Sequence, residues 1–227
     1  MEDLPKHPLT LVFDLDGTLV DTAPDLIKAA DHVMATLGRP PGDPRLLRPA
    51  ASHGALAMIK AALGPEAATW PEATLYPLFD AFIAHYEFNI AVESRPYPGL
   101  IAALDRAEAA GHTLAVCTNK REHLAKLLLN ELGLARRFKA IAGRDTFSSY
   151  KPDPLHLTET ITQAGGDAQR AVMIGDSAVD VATAKAAKVP VIAVGFGYSD
   201  PHVSAFDPDH IIDHYDALDD AVAKVRR

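Results

Sequence analysis

Asp14-Leu15-Asp16-Gly17-Thr18 closes an apolar run, Leu9–Leu15, and sets two carboxylates one residue apart. If that run is a β-strand through Leu15, alternate side chains share a face and both aspartates point the same way. Like charges held that close raise one another's proton affinity unless a cation lies between them. The arrangement is costly as structure and useful as chemistry: it suggests a Mg²⁺ site with a nucleophile and an acid/base residue side by side. Two plainer readings compete. Asp-x-Asp-Gly also occurs in turns, where Asp and Gly tolerate unusual backbone angles, and it opens some calcium loops. A calcium loop needs further oxygen ligands at short intervals and a closing Glu, which Thr18, Leu19, Val20 and Asp21 do not supply. A plain turn does not normally follow a run as apolar as Leu9, Leu11, Val12 and Phe13.

The elements needed to position such residues are legible as runs. Five apolar, β-branched stretches stand out, Leu9–Leu15, Thr113–Thr118, Phe138–Ala142, Ala171–Ile174 and Val189–Val194, with a shorter sixth at His210–Asp213. Alanine- and leucine-rich stretches with helical spacing lie between most of them: Leu100–Ala110, His123–Leu132, Pro154–Ala164 and Val179–Ala187. Fully apolar strands alternating with helices predict an α/β fold, a Rossmann-like parallel sheet covered on both faces. A last helix is expected over Leu218–Arg227, its basic end suited to the helix dipole.

Asp21 to Arg95 breaks this alternation, with no convincing strand. Thr22 is expected to cap a first helix in a capping-box-like start, with Pro24 in the first turn. Leu26, Ile27, Ala30, Val33, Met34 and Leu37 then recur at helical spacing. Two more helices fit Ala55–Leu63 and about Pro71–Phe88, the second with Pro77 as a place to kink. Arg45 to Gly54 reads as a loop. The block predicts an inserted all-helical cap, residues 20–96, within a catalytic core of residues 1–19 and 97–227.

In an open parallel sheet, ligands bind beyond the carboxyl ends of the strands, so polar residues should gather there. The first run ends at Asp14 and Asp16, the second at Cys117-Thr118-Asn119-Lys120. The third is followed by Ser148-Ser149-Tyr150-Lys151-Pro152-Asp153-Pro154, and the fourth ends in Gly175-Asp176-Ser177 with Asp180 one turn on. Each has a structural alternative. Thr118 or Asn119 can cap a helix, Lys151 can be an exposed loop lysine, Asp176 can cap the next helix, and Asp180 can be a solvated helical residue. Those alternatives must hold together at four consecutive strand ends, and a shared site is the better reading.

Composition narrows the partners. Of 227 residues, 48% are apolar, ordinary for a chain with a full core built as one larger domain or a domain plus an insertion. The formal net charge is −8, with acids spread along the chain, which argues against a nucleic-acid or anionic-membrane surface. Cys117 is the single cysteine, so no disulfide framework exists, and it reads as a small buried hydrophobe. Met1 to Pro8 lacks the apolar centre of a signal peptide, and no apolar stretch approaches bilayer length. A soluble cytoplasmic protein, monomer or homodimer, is expected. His7, His32, His85, His112, His123, His156, His202, His210 and His214 are scattered and read as structural or surface residues.

Phe13-Asp14-Leu15-Asp16-Gly17-Thr18-Leu19, Thr118, Lys151 and Gly175-Asp176-Ser177-Ala178-Val179-Asp180 resemble, in order, the four signature motifs of the haloacid dehalogenase-like hydrolase superfamily. The helical insertion after the first motif resembles that family's type I cap. The Leu-Val-Asp-Thr continuation, Thr118-Asn119-Lys120 and Gly195-Phe196-Gly197-Tyr198 look most like bacterial phosphoglycolate phosphatase-like proteins. The resemblance implies Mg²⁺-dependent hydrolysis of a small phosphorylated metabolite, with 2-phosphoglycolate foremost. Sugar phosphates, including N-acetylmuramic acid 6-phosphate, and pyrophosphate are alternatives; a phosphomutase or a non-catalytic binding module stands behind them. Asp16 disfavours C–halogen hydrolysis, and Thr18 weighs against a β-phosphoglucomutase.

The same resemblance implies roles. Asp14 would be the nucleophile that forms an aspartyl-phosphate, and Asp16 the general acid toward the leaving alcohol and then the base for water. Thr118, the Asn119 backbone N–H and Lys151 would hold the phosphoryl oxygens. Asp14, the Asp16 backbone carbonyl and Asp176 would bind Mg²⁺, with Asp180 orienting a water behind them. Substrate choice would lie in the cap, where Arg48, Ser52 and His53 are the candidates.

Overall fold

The computed structural model describes residues 8–226; the reading of the first seven residues, His7 included, and of Arg227 lies outside the described residues. Strand β1 (Thr10–Phe13) is followed by a short β2 (Val20–Asp21), then by helices α1 (Ala23–Thr36), α2 (Pro44–Ala50), α3 (Ala55–Leu63) and α4 (Glu72–Phe88). The chain returns through β3 (Arg95–Pro96), which pairs with β2 in a two-stranded ribbon. It continues as α5 (Leu100–Ala109), β4 (Thr113–Cys117), α6 (Glu122–Glu131), β5 (Ala140–Ala142) and α7 (Pro154–Gln163). β6 (Ala171–Gly175), α8 (Ala178–Ala187), β7 (Val191–Val194), β8 (His210–Ile212) and α9 (Leu218–Val225) complete it.

The six-stranded sheet has the order β5-β4-β1-β6-β7-β8 and is parallel throughout, as the apolar runs require. β1, β6 and β7 are buried at every position, because parallel strands covered on both faces have no solvent side to reward alternation. One face packs on α7 and α8 through Val12, Ala115, Met173, Leu157, Ile161, Val181 and Ala184. Alternate residues such as Leu11, Phe13, Leu114 and Ile174 point to the other face and are equally buried. Each such side chain contributes about 1.5–3 kcal/mol by leaving water.

Register decides which strand ends meet. β1 lies between β4 and β6, with Phe13 opposite Val116 on one side and Ile174 on the other. Asp14, the next residue, is therefore level with Cys117 and Gly175, and Thr118 and Asp176 follow one residue on at the ends of the two neighbouring strands.

The described residues 8–20 and 96–226 form one compact unit, and Asp21–Arg95 forms another. In the helical unit, α1 packs on α3 and α4 through Leu26, Val33, Met34, Met58, Ile59, Leu78, Phe82 and Tyr86, all buried. Two expectations fail within it. Thr22 stands at the N-cap of α1, but its side chain does not cap the helix. Asp25, its prospective capping-box partner, is buried and instead accepts from Glu93 N–H, Ser94 N–H and Ser94 Oγ at 2.7–3.0 Å. A tertiary use of that carboxylate has replaced the local one. The expected loop Arg45–Gly54 is helical instead, as α2 and the 3₁₀ turn Ala51–His53. Asp43 accepts from Arg45 N–H at 2.9 Å and Pro44 begins the helix, where its missing N–H costs nothing. Pro77 sits inside α4 without ending it.

Candidate active site

The loop after β1 turns sharply. Asp14 N–H still donates to Ile174 O at 2.8 Å, one step beyond the strand. Gly17 then adopts φ +79°, and the amides of Leu19 and Val20 both return to Leu15 O at 3.0 and 3.1 Å. The strand thus stops at Phe13 rather than running to Leu15, and Asp14 and Asp16 part company. Asp14 faces Lys151, whose Nζ lies 2.9 Å from Oδ1. Asp16 faces Lys120, whose Nζ donates to both carboxylate oxygens at 2.9 and 3.0 Å. Repulsion between the two aspartates is accordingly minor. Burial pushes the Asp14 carboxyl up to about 6, Lys151 opposes this, Asp180 adds repulsion, and Asp16 is the least of the causes.

Lys151 and Asp180 form the floor of the site. Lys151 Nζ donates to Asp180 Oδ1 at 2.6 Å from a side chain only 2% exposed. Burial works against its charge, but Asp14 and Asp180 outweigh it and keep the ammonium protonated. The other Asp180 oxygen accepts from Ser177 Oγ at 2.6 Å and from the amides of Ser177 and Asp176 at 3.1 and 3.2 Å. Ser177 and Asp180 form a reciprocal capping box that starts α8. Asp180 is therefore wholly buried and braces both Lys151 and the Asp176 backbone.

Asp176 is held as tightly. Its Oδ1 accepts from Thr18 Oγ1 at 3.0 Å and its Oδ2 from Tyr198 N–H at 2.9 Å. Tyr215 OH in turn fastens the Thr18 carbonyl at 2.9 Å. Burial raises the Asp176 carboxyl to about 8, with Asp180 and Asp14 adding to it. Glycines make room: a Cβ on Gly17 would lie 2.5 Å from Asp176 Oδ2, and one on Gly197 2.2 Å from Asp176 Cβ. We expect Gly197→Ala to push this loop off Asp176 and to cost about 1–3 kcal/mol by overpacking. Thermal unfolding checks it, and an unchanged midpoint would contradict the close packing.

Carboxylate oxygens of Asp14, Asp176 and Asp180 lie within 4.8 Å of one another, the only group of metal-ligating spacing among the described residues. Asp14 Oδ1 is buried and takes no well-angled hydrogen bond, its short contact with Lys151 notwithstanding. Burial and mutual repulsion oppose the ionisation of Asp14 and Asp176. A crowded, anionic, all-oxygen donor set of this kind fits a hard divalent cation.

The end of β4 completes the cluster. Thr118 N–H continues the ladder to Ala142 O at 3.0 Å, and its Oγ1 accepts from Lys120 N–H at 3.2 Å, leaving the hydroxyl hydrogen free to donate. Asn119 Nδ2 donates to Lys151 O at 2.9 Å and so ties the end of β4 to the loop after β5. Cys117, as expected, is buried, its thiol pushed up to about 12 chiefly by burial. His156 lies beside it, with its ring Nε2 3.0 Å from Gly143 O and its acidity shifted to about 4 chiefly by burial, so it is a neutral packing residue.

Residues 11–194 match the family model of the haloacid dehalogenase-like hydrolases. The chain belongs to that family. Among curated haloacid dehalogenase-like relatives, it is 51% identical over 208 residues to a phosphoglycolate phosphatase of Mesorhizobium japonicum, covering 92% of each chain. It is 48% identical over 222 residues to a phosphoglycolate phosphatase of Agrobacterium fabrum, covering 98% of this chain and 95% of that one. An N-acetylmuramic acid 6-phosphate phosphatase of Pseudomonas aeruginosa is 37% identical over 218 residues, covering 93% and 95%. The crystal structure of a predicted phosphoglycolate phosphatase from Haemophilus somnus superimposes with a TM-score of 0.86 at 25% identity, over 95% of this chain and 98% of that one.

In this haloacid dehalogenase-like hydrolase, the sheet brings Asp14, Thr118, Asn119, Lys151, Asp176 and Asp180 together, with Asp16 beside them on its own lysine. Sequence reasoning missed Lys120 and the Tyr198 amide as contacts. Both fall in segments noted for their resemblance, but nothing local shows which carboxylate each meets. The remaining candidates belong to the helical unit. There Arg48 Nη2 pairs with Asp21 Oδ2 at 3.0 Å, Ser52 Oγ is buried without a hydrogen bond, and His53 is exposed. No described helix is long and apolar enough to cross a membrane.

Proposed function

We propose that this protein hydrolyses 2-phosphoglycolate to glycolate and inorganic phosphate, with Mg²⁺ as its metal. The observation that carries the chemistry is the buried Lys151 joining Asp14 to Asp180 beside Asp176. Such a cluster has no structural use that an apolar core would not serve better, whereas it suits a phosphoryl group and a cation. The substrate follows the relatives, two of which carry that activity in their names at 48–51% identity over nearly their whole length.

In this reading Asp14 attacks phosphorus and forms an aspartyl-phosphate as the ester P–O bond breaks. Asp16 gives its proton to the departing alcohol, then takes one from the water that cleaves the aspartyl-phosphate and regenerates Asp14. Lys151, the Thr118 hydroxyl and the Asn119 backbone N–H hold the phosphoryl oxygens and neutralise charge building on them. Asp14, the Asp16 carbonyl and Asp176 would hold Mg²⁺, and Asp180 supports them by fixing Lys151 and the Asp176 amide. The cation, when bound, offsets charge on the phosphoryl group and lets the carboxylates ionise together. Residues 1–19 and 97–227 carry this chemistry, and the insertion 20–96, with Arg48, Ser52 and His53, is assigned the choice of substrate.

Two measurements test this. Dialysis against EDTA should lower turnover by more than about 100-fold, with Mg²⁺ restoring it; activity indifferent to chelation would reject the metal. A kcat/KM panel over small phosphorylated metabolites should place 2-phosphoglycolate at least about 10-fold above the rest. The Pseudomonas relative makes N-acetylmuramic acid 6-phosphate the second reading, and a profile led by that ester would replace the first.

A further inference from the structure

Lys120 makes contacts that the motif roles leave unexplained. Its side chain is only 6% exposed, and its Nζ reaches both oxygens of Asp16 across 104 residues of sequence. Its backbone is fixed on both sides: the N–H donates to Thr118 Oγ1, and the carbonyl accepts from Arg144 N–H at 2.9 Å. Gly143 permits that fixture, since a Cβ there would lie 2.7 Å from Lys120 O and 2.3 Å from Glu122 N. Asp16 itself sits in the reversal beyond β1, joined to Val20 by a single bridge. A carboxylate on such a loop is free to turn unless something holds its plane.

We propose that Lys120 is a positioning residue for Asp16, holding the carboxylate by both oxygens so that it meets the leaving-group oxygen and then the attacking water. The inference rests on the acid/base role given to Asp16 above. Proton transfer needs heavy atoms within hydrogen-bond reach, and a displacement of about 1 Å can cost about 100-fold in rate. In the first step the ester P–O bond breaks and the alkoxide oxygen takes the Asp16 proton. In the second, the carboxylate still held by Lys120 takes a proton from water. An alkoxide is a strong base and needs that first proton as it leaves. A nitrophenolate is a weak base and needs little of it.

Leaving-group dependence therefore separates positioning from a structural role. The test compares kcat/KM, which reads formation of the aspartyl-phosphate, for 2-phosphoglycolate and p-nitrophenyl phosphate in wild type, Lys120→Met and Lys120→Gln. Thermal midpoints identify the folded variants, and having two replacements guards against one that fails to fold. We expect the alkyl ester to lose about 100-fold and the aryl ester less than about 10-fold, with Lys120→Arg recovering most of the alkyl rate. Equal losses on both esters, or no loss, would overturn the assignment. A wild type that cleaves neither ester refutes the proposed function itself; one that cleaves both, with an unchanged ratio in the variants, refutes the role of Lys120 alone.

Discussion

Asp14→Asn should lose at least roughly 10⁴-fold in kcat/KM on any phosphomonoester the wild type hydrolyses, and the metal-free variant should be no less stable than wild type near neutral pH. The activity loss follows from the nucleophile role proposed for Asp14: the variant removes the attacking oxygen's charge beside Lys151. The stability result follows from burial. Asp14 and Asp176 titrate near 6 and near 8 in the fold, against 3.8 ordinarily. For an acid whose folded value is raised, the folded state binds more protons than the unfolded chain above 3.8. The favourable contribution is complete below 3.8 and is lost as pH rises through about 6 for Asp14 and about 8 for Asp176. Metal-free wild type should therefore be less stable near pH 8 than near pH 5 through these groups, and Asp14→Asn should shrink the difference. Asparagine leaves Lys151 its partner Asp180, so no unpaired buried cation is created. Turnover retained by Asp14→Asn would remove the nucleophile from this account. A pH–stability curve with the opposite slope over this range would remove the electrostatic part.

Lys151→Met is the second large effect, and it strikes stability and activity together. The ammonium is the shared counter-ion of Asp14 and Asp180, and all three side chains are buried. Taking one partner from a buried ionic group leaves uncompensated charge and costs about 3–5 kcal/mol. Activity on phosphomonoesters should fall by at least roughly 10³-fold, because the same ammonium is proposed as the fixed charge offered to the phosphoryl oxygens. The stability loss should be larger near pH 8 than near pH 5, because Asp14 and Asp176, both raised by burial, take up protons as the pH falls across that range. Urea unfolding at the two pH values, with kinetics on the folded protein, measures both. A variant as stable as wild type at the higher pH would mean that Lys151 does not neutralise this cluster.

Both effects centre on residues that could be picked out before any fold was known. The reason is geometric: parallel strands deliver their carboxyl ends to one edge, so polar residues closing four apolar runs had to become neighbours. Asp180 was readable only in part. One turn beyond Asp176 on a helix, it was expected to orient a water behind the metal; in the fold it caps α8, braces the Asp176 amide and anchors Lys151. Arg45–Gly54 was read as a loop, whereas Asp43 supplies a cap that makes Pro44 a helix start. Thr22 and Asp25 matched a local capping pattern, but a carboxylate has few lone pairs and those of Asp25 are committed to Glu93 and Ser94.

Residue types and their spacing marked out the kind of fold and the polar residues expected to meet at the strand ends. Apolar period and run length fix strand and helix content locally. Tertiary structure alone decided the pairing. Asp14 and Asp16, separated only by Leu15 and alike in charge, go to different lysines because β1 ends at Phe13 and the chain reverses at Gly17, and because Lys120 and Lys151 arrive from just after β4 and from the loop after β5. Charge partners more than a hundred residues apart leave no periodic trace. They are set by register, by the glycines that let backbones close, and by burial, none of which a local pattern encodes.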